Sequence, residues 1–599
     1  MIIHTPRARR IMTMLLVIAP FITAFVCLAI GRYSLSLSET FHVLFSGPTS
    51  TTTGEVERSV IFKIRLPRIL LALSVGAGLS VAGAAFQGLF TNPLATPDTL
   101  GVASGAAFGA ALAMLWHGNL VVVQLSALAF GLLSCALVTN IGKRNGKGSV
   151  VMIVLAGMVI SALFQAFVSL VKYVADPQDE LPAITYWLMG SIAGANYSSL
   201  ALGLPFILIG ITLIVALRWR LNILSLSEEE AKSMGMNIPL LRLTIIVTSS
   251  MITASSVSMC GSVGWIGLLV PHAARMLVGN DNRSVIPVSV SLGAIFLLGD
   301  RHVRPERLRR GNPHLHSDGR HRRSILHCAL EADRRYGNMI FSVRNGSFGY
   351  HTKDILKHVS FSLQEGEVLC ILGPNGVGKT TLLKCTMGFL PWREGATYLD
   401  DRPLSSYPDR QLWQHIAYVP QARGNAFPLS ALDMVMLGRS SHLGVFAQPK
   451  EEDRSIALRA MEEADILSLK DKRCDEMSGG ELQMVLIARA LAVQPRMLVF
   501  DEPESNLDFR NQLVILNTIR DLAESKHLSI IVNTHYPEHA LRIADHALLL
   551  NKDGTNLYGK VCEVVNELNL RKTFMVQVHI NDFVYQEKHY QNVVPLSLL

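Results

Sequence analysis

Residues 373–380 read Gly373-Pro374-Asn375-Gly376-Val377-Gly378-Lys379-Thr380, and few eight-residue runs restrict a fold more. The glycines let backbone N–H groups turn inward around phosphate oxygens, and the helix that follows offers its positive N-terminus to the same charge. A loop of this kind needs a buried strand before it and a helix after it. Both are legible: Val368-Leu-Cys-Ile-Leu372 is an unbroken apolar run, and Thr380-Thr-Leu-Leu-Lys384 opens a helix. In that frame Lys379 reaches the β- and γ-phosphates and Thr380 is placed to ligate Mg²⁺. Pro374, Asn375 and Thr381 complete the expected ATP-binding set.

The loop stands behind about 300 residues of a different character. Mean hydropathy is +0.32 and 17% of the 599 residues are charged, too apolar for a soluble chain of this length. The long apolar runs lie almost entirely before residue 300. Arg7, Arg9 and Arg10 precede the first, Ile11 to Ile30, which has the roughly 20 residues that span a bilayer and no small-residue cleavage site after it. Further spans are expected near 67–90, 100–116, 120–141, 150–174, 200–217, 241–260 and 262–278, with a short ninth over 285–299. Counted from an inside N-terminus, the loops near 142–149, 218–240 and 279–284 carry Lys143, Arg144, Lys147, Arg218, Arg220, Lys232 and Arg283, whereas the outside loop 175–199 has no Lys or Arg. Lys63, Arg65 and Arg68 break the rule on an outside loop. The spans hold almost no ionisable residue except Lys172 near an end, which favours a passive pathway over an ion-coupled one. A nucleotide motor joined to such a bundle implies energy-coupled transport. The net charge of +8 reflects loop and junction arginines and implies no nucleic-acid partner; the eight scattered cysteines, with no CxxC pair, read as free thiols.

Several runs of the first half carry a specific resemblance. Arg65-Leu-Pro-Arg68-Ile-Leu, Val81-Ala-Gly-Ala-Ala-Phe-Gln-Gly-Leu-Phe90, Asn92-Pro-Leu-Ala-Thr-Pro-Asp-Thr-Leu-Gly101, Trp187-Leu-Met-Gly-Ser191 and Val263-Gly-Trp-Ile-Gly-Leu-Leu-Val-Pro271-His272 resemble the permeases that import iron–siderophore, haem and cobalamin. The resemblance implies ten helices per subunit, paired in a dimer around a central pathway in membrane lipid. It also implies that Arg65 and Arg68 dock carboxylates of an extracytoplasmic solute-binding protein; interfacial snorkelling is the plainer reading of the same arginines. Ser225-Leu-Ser-Glu-Glu-Glu-Ala-Lys-Ser-Met-Gly235 is similar to that family's coupling helices, and otherwise reads as an exposed acidic helix.

From Met339 onward the composition is that of a soluble α/β domain, and the motifs resemble ATP-binding-cassette ATPases in order and spacing. Arg496-Met-Leu-Val-Phe-Asp501-Glu502-Pro503 is a buried strand ending in two carboxylates: Asp501 for Mg²⁺ and Glu502 as general base. By the same resemblance, Gln421 senses Mg²⁺ and His535 holds the γ-phosphate and the attacking water. Ser478, Gly479 and Gly480 cap the γ-phosphate of the opposite subunit, Asp508 belongs to the loop that communicates across the dimer, and Tyr350 stacks on adenine. Because the signature acts in trans, a second copy (or separate permease and ATPase subunits) is required. Two residues depart from the pattern: Glu481 stands where Gln is usual, and Glu504 where Thr or Ser follows Asp-Glu-Pro.

The expected architecture is an all-α polytopic transmembrane bundle over 1–300, an Arg/His-rich junction over 301–338, and an α/β P-loop ABC ATPase domain over 339–599. Between Arg301 and Arg335 the junction has ten arginines, five histidines and no lysine. A basic linker and a His-rich metal segment are weighed against a stretch read in the wrong frame. Plausible codons shifted by one nucleotide decode to an apolar, helix-like string resembling the permeases' end of helix nine and all of helix ten. Nine complete spans would leave the ATPase outside the cell, away from ATP, so the missing tenth matters. The reading is therefore ATP-driven import of a metal chelate (iron–siderophore first, then haem, cobalamin or molybdate) across the cytoplasmic membrane. An exporter, or a non-transporting ATPase from a frameshifted gene pair, is the alternative.

Overall fold

The computed structural model describes residues 6–31, 33, 35–45, 55–92, 94–142, 150–302, 339–350, 353–422 and 429–599. The junction over 303–338 and the loop bearing Lys143, Arg144 and Lys147 lie outside the described residues. The chain forms two compact units, one of residues 1–226 and 237–312, the other of 227–236 and 313–599.

The first unit contains helices and no strand among its described residues. Among the described residues, six helices are long and apolar enough to cross a membrane: Glu55–Phe90, Leu120–Gly142, Met152–Val174, Tyr197–Leu217, Ile238–Cys260 and Asn282–Gly299. The first helix, Pro6–Ala29, and two shorter apolar helices, Val102–Leu115 and Ile266–Val278, accompany them. The expected spans at 100–116 and 262–278 are thus shortened. At about 1.5 Å per residue, 13 or 14 residues reach only ~20 Å of a ~30 Å hydrocarbon core. The causes are local. Pro97–Leu100 forms a tight 3₁₀ turn that ends at Gly101 with φ of 69°, and Trp265 adopts φ of 69° just before Ile266. The ninth candidate moves the other way and extends over Asn282–His302, beginning where Asp281 accepts the Arg283 N–H at 3.0 Å.

Helix Leu66–Phe90 is the centre of this unit, buried along nearly its whole length. Its small residues allow backbones to approach closely, which is how helices pack where no hydrophobic force separates helix from lipid. A Cβ on Gly83 would lie 1.9 Å from the Gly267 carbonyl oxygen, and one on Gly76 would lie 2.2 Å from that of Gly293. Ser80 Oγ donates to Ser289 O at 2.6 Å across the second contact.

The second unit contains three sheets. β1 (Ile340–Tyr350), β2 (Lys353–Gln364), β4 (Glu394–Leu399) and β5 (Arg402–Pro403) form an antiparallel sheet in the order β2-β1-β4-β5. β3 (Val368–Leu372), β6 (Ile416–Val419), β7 (Met497–Asp501), β8 (Ser529–Asn533), β9 (His546–Leu550) and β10 (Asn556–Lys560) form the larger sheet, ordered β10-β9-β3-β8-β7-β6 and parallel from β9 to β6. β11 (Val576–Tyr585) and β12 (Lys588–Leu598) make a C-terminal hairpin. Strands β3, β6 and β8 are buried end to end, as parallel strands covered on both faces must be. Leu369, Ile371, Val499, Ile531 and Leu548 join one apolar core with the antiparallel sheet.

The close helix contact yields a first prediction. Gly83→Val should lower the melting temperature of the detergent-solubilised chain, because overpacking of this kind costs about 1–3 kcal/mol or more. Gly299→Ala, whose Cβ meets nothing within 4 Å, should leave it unchanged.

Candidate nucleotide-binding and hydrolysis site

The parallel order fixes where the functional side chains gather. The loop after β3 is the phosphate loop, Asp501 and Glu502 end β7, His535 follows β8, and Gln421 follows β6. Adjacent parallel strands deliver all four to the C-terminal edge of one sheet.

Within the loop, Gly373, Gly376 and Gly378 adopt φ of 149°, 77° and 109°, a region closed to most L side chains. Gly378 also lies against the β1–β2 hairpin, since a Cβ there would fall 2.6 Å from Ile355 Cγ2. Tyr350 sits at the tip of that hairpin, 47% exposed, with its ring edge-on to Phe348 at 5.1 Å. Asn375 and Thr380 are exposed, Pro374 and Thr381 half-buried.

Lys379 is 4% exposed; its Nζ donates to Gly373 O at 2.8 Å, Pro374 O at 3.2 Å and His535 Nδ1 at 2.9 Å. His535 Nε2 lies 2.5 Å from Glu502 Oε1. Lysine, histidine and the glutamate expected to act as base thus lie in one series of close polar contacts. Burial pushes the Lys379 ammonium down to about 8, and the nearby Glu502 and Asp501 charges oppose the change.

Glu502 itself adopts φ of 50°, an uncommon conformation for a residue with a Cβ, and its N–H donates to Asn533 O at 2.9 Å. Asp501 accepts from Asn533 Nδ2 at 2.6 Å and from the Tyr418 hydroxyl at 3.3 Å. Burial raises its carboxyl above the usual range while the Asn533 bond lowers it. Thr380, Gln421 and Asp501 offer only oxygen donors, the hard set that Mg²⁺ prefers, with a single carboxylate that leaves room for water and phosphate ligands.

Gln421 is half-buried, and the backbone on both sides of it is pinned by a residue that the sequence reading does not single out. Gln483 accepts the Ala422 N–H at 2.9 Å and donates to Pro420 O at 3.3 Å, although it belongs to helix Gly479–Ala492 after the signature. Ser478 caps that helix, accepting from Glu481 N, while Glu481 accepts from Ser478 N in return, a reciprocal capping box. Both Glu481 oxygens also accept from Lys472 Nζ at 2.8 Å, and this partner first, then the Ser478 N–H, lowers its carboxyl. The unusual glutamate therefore brings its own counter-charge. Their spacing of nine residues fits no helix or strand period and gives no signal of the pair. Ser478 and Gly479 are exposed, Gly480 is buried against the Asn511 side chain, and Asp508 caps helix Phe509–Lys526 by accepting from Asn511 N at 2.8 Å.

Residues 227–236 fold with this second unit. Ser227 and Glu230 form a capping box on helix Glu228–Ser233. Glu229 meets Lys384 at 2.5 Å, in the helix that follows the phosphate loop. Glu230 meets the fully buried Arg489 at 3.0 Å, in the helix that follows the signature.

The arginines before the central helix are placed differently from one another. Arg65 donates to the carbonyls of Leu28, Ala29 and Tyr33, and so closes the end of the first helix. Arg68 is exposed.

A buried ammonium over a glycine loop, a paired carboxylate strand end and a histidine beside them define an ATP-hydrolysing cassette, here carried by a chain whose other half is a bundle of apolar helices. Residues 16–303 match the FecCD transport family and residues 356–505 the ABC transporter family. The molybdate import system permease protein MolB of Haemophilus influenzae is 43% identical over 288 residues, 48% of this chain and 84% of that protein. The probable iron chelatin transport system permease protein of Helicobacter pylori is 37% identical over 285 residues, 47% of this chain and 86% of that protein. For the second half, the molybdate import ATP-binding protein MolC of Haemophilus influenzae is 34% identical over 260 residues, 43% of this chain and 97% of that protein. The chain belongs to the FecCD transport family in its first half and to the ABC transporter family in its second. It is a multi-pass membrane protein whose ATPase cassette is coupled to transport.

The Lys379 environment sets a sign for pH. Bound phosphate favours the charged ammonium, so binding takes up a proton once the free lysine is neutral. Affinity for a non-hydrolysable ATP analogue, measured by calorimetry, should therefore be flat below pH 8. Above it, affinity should fall by up to about tenfold per pH unit. Lys379→Met should bind more weakly and lose this slope.

Proposed function

We propose that the chain imports a metal chelate, of the iron–siderophore class, across the cytoplasmic membrane, with two copies forming the transport unit. The observation that carries the catalytic part is the series of close polar contacts Lys379, His535, Glu502 at the end of the parallel sheet. In this reading Glu502 takes the proton of the attacking water, and His535 keeps that carboxylate aimed while contacting the γ-phosphate. Lys379 leaves its loop carbonyls for the β- and γ-phosphates. Thr380, Asp501 and Gln421 would hold Mg²⁺, which when bound would supply charge neutralisation for the phosphoryl oxygens. Tyr350 packs on adenine beside the loop. Ser478, Gly479, Gly480 and Asp508 face the nucleotide of the second copy, which agrees with the exposure of Ser478, Gly479 and Asp508.

The iron chelatin permease relative supports the substrate class. A molybdate reading stands second, because both halves of the chain have relatives named for one molybdate system. Arg68, with Arg65 bracing the helix end behind it, is the docking group for an extracytoplasmic binding protein in this proposal. Glu229 and Glu230 pass movement of the intervening loop to the two helices that carry the phosphate loop and the signature. Residues 1–300 form the permease and 339–599 the ATPase; the alternative is a frame error between two genes over 301–338, in which case the two halves act as separate subunits. Resequencing the DNA over residues 295–345 tests that last point: one nucleotide more or fewer supports it, and the printed frame overturns it.

Proteoliposomes holding the full chain and its binding protein test the substrate. Iron–chelate uptake that requires ATP and is not competed by molybdate supports the first reading; molybdate uptake alone transfers the assignment. Glu502→Gln should abolish uptake and lower ATP turnover by about 10²-fold or more while nucleotide still binds. Lys472→Ala should slow turnover by leaving the Glu481 charge unpaired beside the signature, and adding Glu481→Gln to it should restore the rate.

A further inference from the structure

Glu504 is fully buried, yet none of the catalytic steps above uses it. Its Oε1 accepts from the Thr534 hydroxyl, and its Oε2 has no hydrogen-bond partner among the described residues. His539 Nδ1 stands 3.7 Å from Oε1, in a side chain that is itself only 12% exposed. A buried carboxylate is costly unless it is bonded, so a site that retains one gains something from it. Thr534 supplies the connection. It is 1% exposed, its N–H is tied to Ile371 O at 3.1 Å at the end of β3, and its hydroxyl oxygen accepts the Tyr536 N–H at 3.2 Å.

A hydroxyl that donates to a carboxylate has its lone pairs fixed in direction. Here they point at the peptide that closes the turn around His535. From the same short run that supplies the base, Glu502 grips the imidazole and Glu504 grips the turn that carries it. The Gln512 amide, donating to Glu504 O at 3.4 Å, ties this run to the helix capped by Asp508.

We propose that Glu504 is a positioning residue for ATP hydrolysis: through the Thr534 hydroxyl it sets the turn of His535, and so the placement of the histidine against Glu502 and the γ-phosphate. The proposal rests on the catalytic reading of His535. It requires an acceptor at position 504 and a hydroxyl at 534, and it requires the two to act as one unit.

The test measures kcat and KM for ATP on the full chain in proteoliposomes, normalised to folded protein, with melting temperatures alongside. Glu504→Ala and Thr534→Val should each lower kcat about tenfold, with KM within about twofold. The double variant should be no slower than the slower single one. Glu504→Gln, which keeps an acceptor, and Thr534→Ser, which keeps the hydroxyl, should stay within about twofold of the parent. Losses that multiply in the double variant, or Glu504→Gln as slow as Glu504→Ala, overturn the proposal. Unchanged kcat with only a lower melting temperature also overturns it. Should Glu504→Ala fail to fold, Glu504→Gln with the Thr534→Val and Thr534→Ser pair decides the matter. His535→Ala separates the two readings. If it turns over normally, the catalytic role of His535 fails. If it is inactive while Glu504→Ala is normal, only the positioning role fails.

Discussion

The parallel pairing of β3, β8, β7 and β6 is the constraint on which the site depends. Register is set by side chains buried on both faces: Ile371 beside Asn533, and Phe500 beside Val532. Close packing of unlike side chains on both faces admits one register, so the ends of these strands are fixed relative to one another. That is why the phosphate loop, His535 and the carboxylate pair arrive in close contact although 156 residues separate Lys379 from His535. The strain of a positive φ at Glu502 is tolerated because Asn533 holds the neighbouring groups twice, through its carbonyl to Glu502 N and through its amide to Asp501.

The segment 227–236 shows how the same lattice reaches outward. Arg489 is a fully buried cation, and such a charge needs a partner. The Glu230 carboxylate that meets it lies between two apolar helices in sequence, while the neighbouring Glu229 meets Lys384 five residues after Lys379. Two adjacent carboxylates therefore contact the two helices whose N-termini carry the phosphate loop and the signature. Loss of Glu230 would leave Arg489 uncompensated in the interior.

Local motifs were legible because they are contiguous. The strand before the phosphate loop, the helix after it and the strand ending in Asp501 and Glu502 all follow from runs of fewer than ten residues. The spans were legible as apolar runs, but their lengths were not. Hydropathy does not register the 3₁₀ turn at Pro97–Leu100 or the left-handed Trp265, and these shorten two candidate spans to helices of 14 and 13 residues. Gln483 on the backbone around Gln421, and Lys472 on Glu481, are contacts between residues 61 and nine positions apart. Neither spacing belongs to a helix or strand period, so only tertiary structure brings them together.

Both departures from the family pattern acquire meaning from that tertiary structure. A carboxylate near bound phosphate would repel it, but Glu481 is neutralised by Lys472 and spends its remaining acceptor capacity on the helix cap. A buried carboxylate at 504 would be a pure cost if it touched only apolar neighbours, but it is bonded to the Thr534 hydroxyl, which also accepts the Tyr536 N–H just after His535. Glu481 has a full counter-charge in Lys472, whereas Glu504 has one oxygen bonded to the Thr534 hydroxyl and the other without a hydrogen-bond partner among the described residues. Neither departure disturbs the contacts that Lys379, Asp501, Glu502 and His535 make at the sheet edge. The physical case for an active ATPase half therefore stands apart from the fate of the junction that joins it to the membrane half.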